Sequence, residues 1–305
     1  MQTLAKQNRA TAPNEDYRGL NAATVHRLTD DDKDEVLSFL AARPVHTFGL
    51  TGFVRDNGLV SPHNRGTFYA CRDDQGLLEG VALIGHFILF EARSERAIEA
   101  FARIAQGCSN AFMLLGEQDD VRAFWHYYSP EGQQARLSCR ELLFVQKWPI
   151  EVLGNVRGLR LATPDDLDMI VPAHAETALI ESGVNPLEVD PEGFRRRCAR
   201  RIEMGKTWVL VENSKLMFKA EIVSDTPDVV YVEGVWVNPD DRGKGHGSRC
   251  MSQLGMIFLQ RTRSVCVLVN EDFKAAQASY RKAGYKFIAY YETIFLRQVR
   301  ERDEL

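Results

Sequence analysis

The sequence lacks several features that would place it in a specialised class of protein. Its 38 lysines and arginines are nearly balanced by 42 aspartates and glutamates, which leaves a formal net charge of -4. Proteins that bind nucleic acids usually carry an excess of positive charge, so the composition does not suggest such a partner. No stretch reaches the roughly 18 consecutive apolar residues of a membrane-spanning helix. We therefore expect neither a nucleic-acid nor a membrane partner.

Cysteine is also scarce, and its six copies are scattered along the chain. No Cys-x-x-Cys pair occurs, and no histidine lies at metal-ligand spacing from a cysteine, so the pattern predicts neither a metal site nor a disulfide framework. The N-terminal stretch MQTLAKQNRATAPNEDYRGL contains no apolar core of the secretory type. We expect reduced thiols and a cytoplasmic protein.

The chain is long enough for two domains, because 305 residues exceed the size of most single domains. The pair Trp148 and Pro149, followed by the glycines of EVLGNVRG, is typical of a linker. We therefore divide the chain into a polar, mobile tail at residues 1–24, a first domain at 25–150 and a second domain at 151–305.

Both domains show the same alternation of strand and helix patterns. The first predicts strands at 67–71, within 77–90, at 110–116 and at 137–146, with helices at 94–106 and 119–128. The second predicts strands at 207–212, 215–223, 229–237 and 265–270 and in YKFIAYY and TIFL, with helices near 166–180, 191–203, 246–260 and 272–283. This order indicates an α/β fold with a mixed sheet and an internal duplication. The alternative is a chance likeness of two α/β segments.

The stretch VEGVWVNPDDRGKGHGSRC joins a strand pattern to an amphipathic helix pattern through a glycine-rich turn. Gly243, Gly245 and Gly247 remove side chains where backbone must approach another group closely. A helix N-terminus offers unpaired N–H groups and a positive dipole end, so an anionic group, most simply a phosphate, suits this position. Arg242 and Lys244 add positive charge. The structural alternative is a tight turn with exposed basic residues.

Two familiar phosphate-binding motifs do not fit the turn. A P-loop requires glycine at position 238, which is Asn238, and serine or threonine after Lys244, where Gly245 stands. A dinucleotide fingerprint requires glycine at position 248, which is Ser248, and opens a βαβ unit instead of following an antiparallel meander.

The spacing Arg242-x-x-Gly245-x-Gly247, joined to the downstream stretch VNEDFKAAQASYRKAGYKF, resembles the acetyl-coenzyme A (acetyl-CoA) motif of the GNAT superfamily of N-acetyltransferases. The resemblance extends from Leu159 to the C-terminus. It implies tandem GNAT-like folds, of which the first is degenerate, because the corresponding segment FILFEARSERAIEAF has no glycine and carries Glu91 where positive charge would be needed. The first domain would then pack against the second, shape its acceptor cleft or sense a ligand.

The resemblance also implies a site for acetyl-CoA and roles for individual residues. The pyrophosphate would be held by Arg242, Gly243, Lys244, Gly245, His246, Gly247 and Ser248, and the pantetheine arm by Val235, Trp236, Val237 and Asn270. Tyr280 would be the general acid that protonates the departing thiolate. The base would be Glu233, with Glu176 or water as alternatives. A core tyrosine and an ion-paired strand carboxylate are the structural alternatives for Tyr280 and Glu233.

The implied function is N-acetyl transfer from acetyl-CoA to a primary amine of a small molecule, protein or peptide, by direct attack in a ternary complex and without a metal. The alternative is a non-catalytic regulator that binds acetyl-CoA or senses a ligand, and a third possibility is transfer of a larger acyl group. Glu176, Glu181 and Glu188 suggest a cationic acceptor, although a solvated acidic helix face predicts the same residues.

Overall fold

The computed structural model describes residues 24–297 with the exception of residue 152. The predicted tail at residues 1–24 therefore falls outside the described residues except for Thr24, which begins the first strand. Within this part of the chain, no helix is both long and apolar enough to cross a bilayer.

The described residues form twelve strands and nine α-helices, which are joined by turns and short 3-10 helices. The strands are β1 (Thr24–Arg27), β2 (Gly66–Arg72), β3 (Leu78–Gly85), β4 (Phe87–Ala92), β5 (Met113–Glu117), β6 (Ala135–Gln146), β7 (Leu159–Leu161), β8 (Thr207–Glu212), β9 (Lys215–Asp225), β10 (Val230–Val237), β11 (Val265–Asn270) and β12 (Lys286–Leu296). The helices are α1 (Lys33–Leu40), α2 (Phe48–Asn57), α3 (Glu95–Gln106), α4 (Gln118–Tyr128), α5 (Leu167–Ser182), α6 (Pro186–Val189), α7 (Pro191–Glu203), α8 (His246–Leu259) and α9 (Lys274–Lys282).

All twelve strands lie in one mixed sheet, in the order β1-β2-β3-β4-β5-β12-β6-β11-β10-β9-β8-β7. The order is symmetric about its centre. Strands β1 to β5 of the first half repeat as β7 to β11 of the second, and the only parallel pairs are β4 with β5 and β10 with β11 among the described strands. This repeated topology agrees with tandem GNAT-like folds.

The two halves exchange their last strands. Strand β6, from the end of the first half, pairs with β11 of the second half, and β12, from the end of the chain, pairs with β5 of the first. The two exchanged strands also pair with each other and join the halves into one sheet. The predicted boundary at residue 150 divides the two halves along the chain. In the sheet, however, the five strands of each half are followed by a strand that belongs to the other half.

Helices cover both faces of the sheet. One face carries α3, α4, α8 and α9, whose apolar side chains form two clusters with the strands beneath them. The opposite face carries α1, α2, α5 and α7. Between them, Phe48 of α2 packs in a central cluster with Tyr231, Leu143 and Tyr291, so the first half covers part of the second half's sheet.

Most of the predicted elements are confirmed, but β12 and α2 differ from the prediction, and the short helix α6 was not predicted. The stretches YKFIAYY and TIFL form the single strand β12, because no turn residue separates them and the pairing with β6 continues across Tyr291 and Glu292. Helix α2 was not predicted, since its sequence FGLTGFVRDN contains two glycines and a β-branched threonine that weaken the helical signal.

Candidate functional site

The glycine turn begins directly after strand β10 and ends in helix α8. Gly243 and Gly245 have φ angles of 80° and 83°, values in the left-handed region that glycine adopts without strain. Gly245 occupies the N-cap position of α8, and no side chain caps this helix. A Cβ atom at Gly247 would lie 3.1 Å from Ser279 Oγ and 3.3 Å from Val237 Cγ2, so glycine allows close packing there. The turn therefore leads into the N-terminus of a 14-residue helix, and no side chain caps this N-terminus.

Basic residues of the turn are held by acidic neighbours. Lys244 Nζ lies 2.7 Å from one oxygen of Asp241, and Lys215 Nζ lies 2.9 Å from the other. These two lysines lower the pKa of Asp241 to about 2. Arg242 is bonded to Glu176 at 3.1 Å. The geometry fixes the shape of the turn while Lys244 and Arg242 stay more than half exposed.

Strand β10 is distorted where it passes the turn. Its parallel pairing with β11 stops at Val232 and Val267, although β10 continues to Val237. On its other side the register with β9 shifts between Glu233 and Trp236, and Gly234 in this bulge has a φ of 54°. The edge of β10 that faces β11 is consequently unpaired after Val232. An unpaired strand edge of this kind can accept an extended ligand.

The residues of β10 predicted to bind the cofactor line this edge. Val235 and Val237 pack partly buried against the core beneath α8. Trp236 is buried, and its indole Nε1 donates to Glu176 Oε2 at 2.7 Å. Because Arg242 occupies the other oxygen of Glu176, this carboxylate links α5 to the strand and to the glycine turn.

Glu233, the predicted base, belongs to a charged network. Arg201 of α7 donates to Glu233 Oε1 at 3.0 Å and to Glu221 Oε2 at 2.5 Å. Glu221 is fully buried and lies 3.1 Å from Lys219 Nζ and 2.7 Å from His174 Nδ1. Burial by itself would raise the pKa of Glu221, but Lys219, His174 and Arg201 hold it well below its ordinary value.

The buried ion pair in this network was missed in the sequence. Lys219 and Glu221 lie two residues apart in the apolar strand pattern KLMFKAEIV and therefore point to the same face. Two opposite charges inside a run of apolar residues are a signal of a buried pair, since lone charges are rarely buried. Lys219 also donates to the carbonyl oxygen of Gly234 at 3.1 Å, which ties the network to the β10 bulge.

Tyr280, the predicted general acid, lies on α9. Its side chain is 6% exposed and packs near Phe144 and Tyr285. Its hydroxyl has no hydrogen-bond partner among the described residues. Burial, and then the charge of Glu181, raise the pKa of this phenol, so it stays protonated at neutral pH. Its neighbour Ser279 contacts Gly247, which places Tyr280 beside the glycine turn.

Asn270, which was predicted to contact the pantetheine arm, lies at the end of β11 and makes a hydrogen bond within the protein. Its Oδ1 accepts from the backbone N–H of Asp272 at 2.8 Å and so shapes the turn that leads into α9. Phe273, at the N-cap position, packs partly buried against the core, so the first turn of α9 presents no amide side chain there. Asn270 pairs in register with Glu141 of β6.

Glu141 and Glu181 were not predicted together. Glu141 is half-buried on β6 and accepts a hydrogen bond from the hydroxyl of Thr293. The surrounding protein, followed by the charges of Glu233 and Glu141, raises the pKa of Glu181 to about 8. The Glu181 side chain is nevertheless exposed, so solvent reaches this cleft. The sequence could not pair these residues, because they belong to different halves.

Neither a disulfide nor a metal-binding group occurs in the part of the chain described. All six cysteines are free, and four of them are buried. Burial raises the pKa of Cys250 to about 12 and raises that of Cys266 further, so neither thiol is activated as a nucleophile. No group of three or more histidine, cysteine, aspartate or glutamate side chains among the described residues could hold a metal ion.

Comparison with known protein families gives a match within the second half. Residues 203–287 match the family model described as an acetyltransferase (GNAT) domain. None of the curated proteins matches the chain significantly in sequence.

Solved structures extend the similarity to nearly the whole chain. A Drosophila protein has a TM-score of 0.64 at 12% identity, covering 91% of this chain and 99% of its own. A GNAT-family acetyltransferase from Colwellia psychrerythraea has a TM-score of 0.56 at 11% identity, covering 90% of this chain and 100% of its own. A tandem GNAT protein from the clavulanic acid biosynthesis pathway has a TM-score of 0.55 at 12% identity and covers 91% and 99%. Residues 203–287 therefore match a GNAT acetyltransferase domain, and the α/β fold of the chain is similar to that of a tandem GNAT protein.

Proposed function

We propose that this protein transfers an acetyl group from acetyl-CoA to a primary amine by direct attack in a ternary complex. The GNAT domain supports acyl-CoA-dependent acetyl transfer as the general class of chemistry. The observation that carries the proposal is the combination of an uncapped helix N-terminus at Gly245 with the unpaired edge of β10 that leads to it. The non-catalytic alternative is not favoured, because the same cleft also holds groups suited to acid and base roles.

Acetyl-CoA would lie along the gap between β10 and β11. Its pyrophosphate would accept hydrogen bonds from the backbone amides of residues 242–248, where the helix dipole favours negative charge. The pantetheine arm would add to the free edge of residues 235–237 as an extended strand does. Asn270, at the end of the facing strand β11, would contact the same arm.

The acceptor amine would attack the thioester carbonyl from the face that carries Glu233. A new C–N bond forms, and the backbone N–H of Val235 in the β10 bulge stabilises the oxyanion of the tetrahedral intermediate. The intermediate collapses with loss of the C–S bond, and the thiolate takes a proton from the Tyr280 hydroxyl, which has no competing partner among the described residues. A phenol with a raised pKa remains a proton donor at neutral pH.

The proton released by the amine would pass to Glu233, directly or through water. Arg201 occupies Oε1 of Glu233, whereas Oε2 has no donor within the described chain. Glu176 is the weaker candidate, because Trp236 and Arg242 already occupy both of its oxygens. Glu176 would instead position the strand and the turn.

The proposal is tested by incubating the full chain with acetyl-CoA and a panel of primary amines. Release of free CoA thiol and a product heavier by one acetyl group are expected with at least one amine. If acetyl-CoA binds and no amine in the panel is acetylated, the regulatory function is the better description. Product mass also distinguishes acetyl transfer from transfer of a larger acyl group when other acyl-CoA donors are supplied.

A further inference from the structure

Two glutamates at the candidate site have no cationic partner among the described residues. Glu181 of α5 makes neither a hydrogen bond nor an ion pair with that part of the chain, and Glu141 of β6 accepts only from the Thr293 hydroxyl. The neighbouring carboxylates differ, since Glu221 and Glu233 share Arg201 and Glu176 binds Arg242. Glu141 and Glu181 are therefore free to bind a cation from outside.

These two carboxylates face one cleft beside Glu233. Arg136 of β6 donates to the carbonyl oxygen of Ser182 at 2.6 Å, so the last turn of α5, which carries Glu181, lies against β6. Residues 141, 143 and 145 of β6 share a sheet face, and Leu143 and Val145 of that face pack with Tyr231 of β10. Glu141 thus points to the same face as Tyr231 and Glu233.

The hydroxyl of a largely buried tyrosine lies in the same cleft without a partner among the described residues. Tyr231 is 7% exposed, and its ring stacks on Phe48 with centroids 3.9 Å apart. Its hydroxyl has no hydrogen-bond partner among the described residues, although it lies close enough to interact with the charges of Glu233, Glu141 and Glu181. Polar groups of largely buried side chains are usually hydrogen-bonded, so this unpartnered hydroxyl oxygen is available to accept from a donor on a ligand.

We propose that the acceptor is a small aliphatic diamine or oligoamine, an inference that rests on the amine acetylation proposed above. One amine reacts beside Glu233, while a second, protonated amine is bound by Glu141 and Glu181. An ammonium group has three donors, which suits two carboxylates and the Tyr231 oxygen. Strands β10 and β6 are two strands apart, a separation of about 10 Å where the strands are paired and more beyond Val232, which a short alkyl chain and the glutamate side chains can bridge together.

The inference gives the first half a direct role in the site. Glu141 belongs to β6, the strand that the first half contributes to the second half's sheet, and Thr293 on β12 orients it. The pocket for the second amine is therefore complete only because the last strands are exchanged.

The test compares two probes of equal chain length, 1,5-diaminopentane and 1-aminopentane, with the full chain. We expect the diamine to be acetylated with a kcat/KM at least tenfold higher than the monoamine. Glu141→Gln and Glu181→Gln should each lower kcat/KM for the diamine about tenfold, mainly through KM, and leave the monoamine nearly unchanged. Glu188→Gln is the matched control, since Glu188 lies on α6 and bonds only to Asn185 among the described residues.

Binding of the diamine in the presence of CoA, followed by calorimetry, separates this inference from the proposed function. If amines are acetylated without preference for the diamine, or if both glutamine variants affect the two probes equally, the inference is wrong and the function stands. If no amine is acetylated but the diamine binds and Glu181→Gln weakens that binding, the cation site stands and the function is wrong. Absence of diamine binding overturns the inference whatever the activity.

Discussion

The two halves use the same strand, turn and helix in different ways. In the first half, Ser94 accepts a hydrogen bond from Ala97 N at 3.2 Å, so helix α3 is capped by its own chain, and the Ser94 hydroxyl donates to Glu79. In the second half, Gly245 precedes α8 and no side chain caps it. A helix N-terminus can bind an external anion only where the chain has not already satisfied it, so the fold alone does not make a coenzyme site.

The clefts beside these turns differ in the same sense. In the first half, Arg43 is bonded to both Glu91 and Glu117, and His46 lies 3.2 Å from Glu117. Although burial opposes it, His46 and Arg43 keep the pKa of Glu117 below its ordinary value. In the second half, the pKa of Glu181 is raised, and no cation forms an ion pair with Glu181 among the described residues, since Lys219 pairs with Glu221. The first cleft is filled by its own ion pairs, and the second is left open to charge from outside.

Removing one hydroxyl from each half should give the largest contrast. Tyr280→Phe is expected to lower kcat about a hundredfold or more, because a positioned general acid contributes on the order of 10²-fold. Tyr128, at the end of α4, already accepts from Gln133 N at 3.1 Å. Tyr128→Phe should therefore cost about 1 kcal/mol of stability and leave turnover intact. Steady-state kinetics and denaturant unfolding measure both; equal kcat in the two variants would remove Tyr280 from the mechanism.

A pair of glycines with the same backbone angle sharpens the comparison. Gly245 in the turn and Gly76 in the β2–β3 hairpin both have a φ of 83°, and an added methyl group meets no close neighbour at either. Alanine at either position should cost about 1–2 kcal/mol of stability from the left-handed conformation. Only Gly245→Ala should weaken CoA binding, by about tenfold, because its methyl group would intrude on the phosphate contacts. Calorimetric titration of the two variants with CoA measures this difference. Equal affinities of Gly245→Ala and Gly76→Ala for CoA would mean that the pyrophosphate binds elsewhere.

The ion pairs of the first cleft should matter for stability and not for coenzyme binding. Arg43→Met leaves Glu91 buried without its cation, and we expect a loss of about 1–3 kcal/mol near pH 8. Burial already raises the pKa of Glu91, and loss of Arg43 raises it further. The deficit is therefore present above that pKa and shrinks as the pH falls and Glu91 becomes protonated. Unfolding at pH 5 and pH 8 tests this, and a deficit independent of pH would contradict it.

The smallest expected effect is the pH dependence of diamine binding in the second cleft. Burial, and then the charges of Glu233, Glu141 and Glu221 against that of Lys219, raise the pKa of Glu181 to about 8. Ionisation favours a bound cation, while an alkylammonium stays charged up to a pH of about 10. Affinity for 1,5-diaminopentane should thus increase a few-fold between pH 7 and pH 9. Glu181→Gln should remove this slope; an unchanged slope would assign it to another group.

The sequence predicted the local parts of this molecule well. Glycine spacing and strand periodicity are properties of short segments, so the turn at residues 242–248 and most strands and helices could be placed without coordinates. The roles of Tyr280 and Glu233 remain proposals. The sequence did not predict the bulge at Gly234, because a single glycine in a strand does not fix the register.

The sequence did not predict which strands pair with each other across the two halves. Nothing in LSCRELLFVQ or YKFIAYYETIFL specifies which half each strand joins, since alternating side chains encode the face of a strand and not its neighbour. The sequence by itself therefore determined two similar α/β halves and a single glycine turn with the chemistry for a phosphate. Only the tertiary structure, by exchanging β6 and β12, decided that Glu141 of the first half would lie in the cleft of the second.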